Sequence, residues 1–400
     1  MYIPGQEKVI SAAIESYKQG RLLFEFSGGP GTGKSYTLNQ IVDRLKIPRN
    51  RVAPMSYIGQ AAIVMRLKGF HNAKTMHSWL FNPEKVKRKD ANNNPIYDEY
   101  FGIAEDGIEF VPKPMENIDL IIIDEAGSAP MKLRRFIEDL KIPVIACGDI
   151  NQLPPVGDNP AYLYDPRTVM FLTENMRQKA GSNIPVIGQR ALEGLPIHRG
   201  YYGDVMVIYD DELTNDIIAG ADMILCGTNK TRERINKLVR EEILGYKTDL
   251  PQYMEKIICR KNDWSISVDG IGLGNGIIGR VVTPIDVTSY NGTCFYIDFM
   301  PELFNGVFRD LDINYEYFTA PFSDKQNIKM KMFRHGIPGH CFDYAYCITT
   351  HLAQGAEYPN VIYFEENMNS LLQNRLNFTA VTRASQNLIY VKKRNQFFFH

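Results

Sequence analysis

Short apolar runs alternate along the chain with stretches of helical spacing, and glycine, proline or acidic residues close many of the runs. Val9, Ile10, Ala13, Ile14 and Tyr17 recur on one helix face, which predicts an amphipathic helix over 6–19. Leu22–Phe26 is an apolar run, followed by glycine-rich residues and then by the helical pattern Tyr36–Val42. Arg51–Ser56 reads as a short strand stopped by its proline, and Ile58–Leu67 as a helix. Asp119–Ile123 and Ile142–Cys147 are near-continuous apolar runs, the pattern of parallel strands covered on both faces. A further strand is expected over 167–172 and a helix over Ile184–Leu192.

The alternation breaks twice. Residues 81–117 carry a basic run, Lys85 to Lys89, then β-like runs around Tyr97–Ile103 and Ile108–Val111 with the hairpin signal Asp106-Gly107 between them. A small β insertion is expected there. The turn-rich Gly194–Gly203 marks a domain boundary, and a second α/β set starts at Asp222–Cys226 with a helix over Arg232–Leu244. Residues 245–340 alternate Tyr, Phe, Val and Ile with Gly and Asn, which predicts short antiparallel strands forming a small β-barrel. The α/β pattern returns at Tyr344, with a strand at Val361–Phe364 and a last strand, Leu388–Val391, closing the sheet. The fold class is α/β, with two parallel-sheet domains in tandem.

Composition narrows this picture little. The chain has 400 residues, 44% hydrophobic and 23% charged, ordinary values for a globular protein of two or three domains. No apolar run approaches the roughly 18 residues of a membrane span, and the N-terminus shows no secretory signal, so a cytoplasmic location and no membrane partner are expected. The six cysteines are scattered without a C-x-x-C pair, which points to free buried thiols rather than disulfides or zinc. A net charge of −1 excludes a wholly basic surface but not a local basic groove for nucleic acid.

The candidate chemistry begins at Ser27-Gly28-Gly29-Pro30-Gly31-Thr32-Gly33-Lys34-Ser35, which fits G-x-x-x-x-G-K-[ST] between a strand and a helix. Glycines let backbone N–H groups converge on phosphates, Lys34 reaches the β- and γ-phosphates, and the Ser35 hydroxyl can hold Mg²⁺. Gln6 offers an amide donor and acceptor to an adenine edge. Asp124 and Glu125 close a buried strand about 90 residues later; the first can hold Mg²⁺, the second can activate water. Gln152 stands where a strand-end amide senses a γ-phosphate, and Arg177 where a guanidinium stabilises charge. Ser56, Thr75 and His77 lie at strand ends, where parallel sheets face a ligand crevice.

In their order, Gly28–Ser35, Asp124-Glu125, Gly148–Val156, Leu172–Gln178, Thr350–Glu357 and Val381–Ala384 resemble the motifs of superfamily 1 DNA helicases, B subgroup, of the RecD and bacteriophage Dda type. The resemblance covers Gln6 to about Val391. It implies two RecA-like domains, the first over 1–80 and 118–193 and the second over 194–244 and 341–400, with ATP and Mg²⁺ between them. The 81–117 insertion then takes the place of the strand-separating pin, and 245–340 that of an SH3-like β-barrel. The resemblance gives Gln6 to adenine and Gly28, Gly29, Pro30, Gly31, Thr32, Gly33, Lys34, Ser35 and Tyr36 to the phosphates and metal. Gly355 and Glu357 join this nucleotide set. Asp124 and Glu125 become the metal and water-activating acids, Gln152 the sensor, and Arg177 and Arg383 the two arginines near the γ-phosphate, the second from across the cleft. Pro54, Ser56, Thr75, His77, Thr228, Asn229, Asn275, Thr350 and His351 fall at DNA-facing motifs. Leu352 departs from the lysine common after the motif's histidine, and Ser56 from a common threonine.

The function implied is an ATP-dependent helicase that translocates on single-stranded DNA, 5′→3′, and unwinds duplex. The alternatives are a translocase that strips proteins without robust unwinding and a non-motor ATP-dependent nucleic-acid switch. The expected partners are single-stranded DNA, forked or tailed duplex, and a single-strand-binding protein or replication machinery, met as a monomer, in a host cytoplasm if the source is a phage.

Overall fold

A computed structural model describes residues 4–85, 108–155, 157–174, 181–283, 292–367 and 372–394. The chain divides into two units, Met1–Gly181 and Ser182–His400.

In the first unit the strands are β1 (Leu23–Gly28), β2 (Val52–Ser56), β3 (Lys74–Thr75), β4 (Phe81–Lys85), β5 (Ile108–Pro112), β6 (Leu120–Asp124), β7 (Val144–Gly148) and β8 (Met170–Leu172). The helices are α1 (Pro4–Lys18), α2 (Lys34–Leu45), α3 (Gly59–Leu67), α4 (Met76–Leu80) and α5 (Met131–Asp139). Six strands form one parallel sheet in the order β3-β2-β6-β7-β1-β8. Alternation along β6 shows why both faces are covered. Leu120 and Ile122 pack with Val9, Ile10, Leu38 and Ile41 of α1 and α2. Ile121 and Ile123 pack on the other face with Met76, Leu133 and Ile137 of α4 and α5. Both sets are removed from water, which is the main drive for layering helices on the sheet.

The strand β2 does not stop at its proline: Pro54 pairs in register with Ile122 of β6. Pairing with β3 begins only at Met55, and the Pro54 carbonyl accepts the Trp79 indole N–H at 2.8 Å. Pro54 thus sits where its missing N–H breaks no bond to β3. Strands β4 and β5 form an antiparallel ribbon, Phe81 opposite Pro112. The expected runs around Tyr97–Ile103 and the turn Asp106-Gly107 lie outside the described residues.

In the second unit the strands are β9 (Gly200–Tyr202), β10 (Val205–Tyr209), β11 (Met223–Cys226), β12 (Lys256–Cys259), β13 (Asp263–Val268), β14 (Ile271–Leu273), β15 (Ile278–Val281), β16 (Cys294–Pro301), β17 (Phe308–Asn314), β18 (Phe342–Tyr344), β19 (Cys347–Thr349), β20 (Tyr358–Phe364) and β21 (Ala384–Lys392). The helices are α6 (Ile184–Leu192), α7 (Asn215–Ala219), α8 (Asn229–Leu238), α9 (Tyr315–Thr319), α10 (Phe322–His335) and α11 (Gln373–Val381). The main sheet runs β19-β11-β20-β21-β10-β9, parallel except for β9. Helices α6 and α11 cover one face through Ile187, Ala380 and Val381, and α8 covers the other through Ile235.

Three expectations change here. Leu388–Val391 does not close the sheet, because β10, an apolar run placed just after the turn-rich stretch, pairs on its far side. Helix α6 belongs with the second unit, where Ile184 and Ile187 join the core of α11, so the division falls at Gly181 rather than near residue 193. The 245–340 region holds the expected antiparallel strands, ordered β17-β16-β15-β12 with β13 and β14 as a separate pair, but also α9 and the fourteen-residue α10; β18, just past this region, completes the sheet beside β12. Pro321 and Gly336 bracket α10, and Ile328 and Met332 bury one face of it.

Candidate functional site

Strands β1, β7 and β6 are parallel neighbours, so their C-terminal ends meet at one edge of the sheet. Ser27 is level with Gly148, and Ala146 with Ile123. That edge collects the glycine loop after β1, Gly148–Gln152 after β7, and Asp124-Glu125 after β6.

The loop depends on glycine at two clear points. A Cβ on Gly28 would fall 2.4 Å from Thr32 Oγ1 and 2.9 Å from Leu172 Cβ. Gly33, which caps α2, has a φ of 83°, a left-handed conformation that side chains disfavour. Lys34 opens α2, and its ammonium donates back to the carbonyls of Gly28 at 2.9 Å and Gly29 at 3.4 Å. Thr32 Oγ1 donates to Gly29 O at 2.9 Å. Gln6, buried on α1, donates through Nε2 to Thr32 O at 3.1 Å, so the adenine candidate is seated on the loop itself. Ser35 is half-buried in the first turn of α2, and Tyr36 is exposed.

Asp124 is buried at the end of β6, and its Oδ1 accepts the Glu125 N–H at 2.9 Å and the Cys147 thiol at 3.2 Å. Burial pushes the Cys147 thiol well above its ordinary range, with the Asp124 charge adding to the rise and Lys34 opposing it. The thiol is therefore a donor. Glu125 has a φ of 50°, strained for a residue with a side chain. The Ile150 N–H donates to Ser27 Oγ at 3.0 Å, tying the segment after β7 to the start of the loop. Gln152 is buried, its Nε2 is 3.5 Å from Asp149 Oδ2, and its Oε1 has no partner among the described residues. Lys34, Ser35, Asp124, Glu125, Gln152 and Gln6 thus share one sheet edge. Arg177 lies outside the described residues.

The candidate nucleic-acid residues of this unit have local roles. Ser56 is fully buried, and its Oγ accepts the Ile58 N–H at 3.4 Å. Thr75 caps α4 by accepting the Ser78 N–H at 3.2 Å. His77 sits among Tyr57, Phe81 and Phe110, with ring centroids 5.5–6.2 Å apart, and burial lowers its pKa so that it stays neutral.

In the second unit β11 and β19 are parallel neighbours, Cys226 level with Thr349, so Thr228, Asn229, Thr350 and His351 follow adjacent strand ends. Thr350 is fully buried, its hydroxyl donating to Cys226 O at 3.1 Å. Burial lowers the His351 pKa. Leu352 packs against the core. Thr228 caps α8. Asn275 is exposed in the turn between β14 and β15, away from this group in sequence and fold. Arg383 is buried. It donates to Thr379 O and Ala356 O, both at 3.1 Å, and to Thr382 Oγ1 at 3.3 Å, which places it beside Gly355 and the exposed Glu357. Sequence reading missed Cys147, Trp79 and Glu366, whose partners are 23 to 139 residues distant along the chain; no local motif announces them.

No helix among the described residues is long and apolar enough to cross a membrane. All six cysteines are free and buried, and no group of three His, Cys, Asp or Glu among the described residues is arranged for a metal ion.

Comparison with known proteins agrees with this geometry. The AAA domain family matches residues 11–158, and the UvrD-like helicase C-terminal domain matches residues 344–391. An ATP-dependent DNA helicase Pif1 of Psychrobacter sp. is 26% identical over 188 residues, covering 43% of this chain and 27% of the relative. An ATP-dependent DNA helicase PIF1 of Trypanosoma brucei brucei is 28% identical over 156 residues, covering 39% of this chain and 15% of the relative. The chain thus spans about a quarter or less of these curated relatives' length. The Pif1 helicase structure from Candida albicans is similar at 18% identity and a TM-score of 0.58, covering 98% of this chain and 94% of that one. The Bacteroides Pif1 structure bound to single-stranded DNA is similar at 14% identity and a TM-score of 0.56, covering 98% and 92%. The chain has the fold of these Pif1 helicase structures and carries the two domain matches in order, which is consistent with the superfamily 1 helicases, B subgroup. Within that class, the relatives it resembles are Pif1 helicases.

Proposed function

We propose that this chain is an ATP-dependent DNA helicase that moves 5′→3′ along single-stranded DNA and separates duplex ahead of it. The observation that carries the reading is one sheet edge shared by Lys34, Ser35, Asp124, Glu125 and Gln152, in a chain that also matches the UvrD-like helicase C-terminal domain.

The donor set fits Mg²⁺, a hard cation that prefers oxygen ligands: the Ser35 hydroxyl and the Asp124 carboxylate would hold it. Bound there, the ion would neutralise charge between the β- and γ-phosphates. Lys34 exchanges its two loop carbonyls for phosphate oxygens. Glu125 orients and deprotonates the attacking water. The orphaned Gln152 Oε1 suits a water or other donor at the γ-phosphate end. Arg383 of the second unit, and Arg177, answer the charge that develops on the transferred phosphoryl group. Gln6, fixed on Thr32, reads the base. Thr228, Asn229, Thr350 and His351, with Pro54, Ser56, Thr75, His77 and Asn275, form or support the DNA-facing surfaces. The ribbon β4–β5 stands at the root of the strand-separating pin. A single-strand-binding protein or replication machinery would meet it on the same DNA, with the chain acting as a monomer.

The test compares ATP-driven unwinding of a 5′-tailed and a 3′-tailed duplex, with Lys34→Ala as the inactive control. Unwinding of the 5′-tailed duplex alone is expected. Unwinding of the 3′-tailed duplex alone would overturn the direction. ATPase stimulated by single strands without unwinding would leave a translocase.

A further inference from the structure

Glu366 follows β20 and is buried, yet no motif includes it. Its carboxylate gathers donors from the start of α8, 135 to 139 residues earlier in the chain. Oε2 accepts the backbone N–H groups of Gly227 at 2.5 Å and Thr228 at 2.9 Å. Oε1 accepts the hydroxyls of Thr228 at 3.0 Å and Thr231 at 2.5 Å. Thr228 Oγ1 in turn accepts the Thr231 N–H at 3.2 Å.

Two consequences follow. First, an anion already sits at the N-terminus of α8, taking the N–H groups of Gly227 and Thr228 and facing the positive end of the helix dipole that would otherwise attract a phosphate. Second, a hydroxyl has one proton. A carboxylate can only accept, so the Thr228 proton points at Glu366 and Thr228 presents lone pairs elsewhere.

We infer that Glu366 is a positioning residue that fixes the Gly227–Thr231 turn for nucleic-acid contact, with Thr228 acting as part of this clamp and Asn229, beside it and partly exposed, left to touch the strand. The inference deepens the proposed function and rests on it. The identity of the acid at 366 matters less than its acceptors. A glutamine there can still accept both N–H groups, and its amide can donate to the two threonine oxygens. An alanine takes the acceptor away from four donors, the Gly227 N–H and the Thr231 hydroxyl among them buried, which is costly.

The test uses the full chain with Glu366→Ala, Glu366→Gln and Asn229→Ala. Fluorescence anisotropy of a labelled oligothymidylate reads strand affinity. Hydrogen exchange of the 224–232 segment reads the turn, and a fluorescent ADP analogue reads the nucleotide site. Glu366→Ala is expected to weaken oligonucleotide binding about tenfold or more and to speed amide exchange at Gly227 and Thr228, with ADP affinity changed less than twofold. Glu366→Gln is expected to stay within about threefold on both readouts, and Asn229→Ala to weaken binding without loosening the turn. Oligonucleotide binding by Glu366→Ala within twofold of the parent would overturn the inference. So would a tenfold loss in Glu366→Gln with unchanged exchange, since the carboxylate's charge rather than its hold on the turn would then matter. A parent chain that bound no oligonucleotide would instead sink the proposed function, and the exchange data would still report whether Glu366 holds the turn.

Discussion

The Cys147 thiol donates to Asp124 Oδ1 at 3.2 Å, and the Glu125 N–H donates to the same oxygen at 2.9 Å. Two donors from two elements therefore fix one oxygen of the carboxylate proposed to hold the metal. Hydrogen bonds to charged groups contribute about 1.5–3 kcal/mol. Cys147→Val keeps most of the volume and removes the donor, so ATPase is expected to fall roughly ten- to hundredfold, with a higher Mg²⁺ requirement. Cys147→Ser restores a donor and should recover part of the loss. A Mg²⁺ titration of ATPase for the three proteins checks this, and a valine variant with unchanged turnover would remove Cys147 from the site.

The same burial governs reactivity. All six thiols are buried, and burial pushes Cys259 up to about 12 and Cys341 up to about 11. The thiolate is the reactive form, so the native chain should react slowly with a disulfide reagent at pH 8. In denaturant all six should react at once. Rapid modification of the native protein would show that one of these sites opens on the timescale of the assay.

Much of this site could be read in the sequence because its signals are local. The loop Gly28–Ser35 lies between a run of apolar residues and a helical pattern, and Asp124-Glu125 ends a strand buried on both faces. Pro54 misled because a proline usually breaks a ladder, whereas here pairing with β3 begins only at Met55, so the missing N–H breaks no bond to that strand. The strand β10 was hidden by neighbouring turn residues, and α10 by the β-rich composition around it, although Pro321 and Gly336 mark its ends. Cys147 and Glu366 act through partners far away in the chain. Only the fold, which sets β7 beside β6 and β20 beside β11, brings them into contact.

Arg383 has a structural role in addition to its proposed catalytic one. Its guanidinium donates to the carbonyls of Thr379 and Ala356 and to Thr382 Oγ1 within its own unit. Arg383→Ala should therefore lower stability by about 1–3 kcal/mol through unpaired acceptors. If Arg383 also stabilises charge on the transferred phosphoryl group, ATPase should drop by about 10³–10⁵ while nucleotide binding persists. Arg383→Lys keeps the charge but not the planar fork, and should recover stability better than turnover. Thermal unfolding and ATPase on the same preparations separate the two roles. A variant with lower stability and near-normal turnover would leave Arg383 as a brace for the loop at Ala356.

Asp343 on β18 is surrounded by cations: Arg232 at 2.9 Å, Arg260 at 3.3 Å and Lys325 in direct contact, all little exposed. Burial alone would raise its carboxyl, but the three positive charges outweigh burial and hold it below the ordinary carboxylate value. A depressed folded-state pKa adds stability that is fully present above the unfolded value, about 3.9, and is lost as pH falls through the lower folded value. Asp343→Asn leaves buried cations uncompensated and should cost about 3–5 kcal/mol at neutral pH. Below about pH 4 the unfolded parent takes up a proton at this carboxyl while the folded one stays ionised down to its lower value, so the gap between the two proteins should shrink. Urea unfolding of both proteins at steps between pH 7 and pH 3 measures that gap. A gap that stayed constant through the acid range would mean that Asp343 contributes by packing and hydrogen bonding rather than by its charge, and that the cations around it are balanced elsewhere.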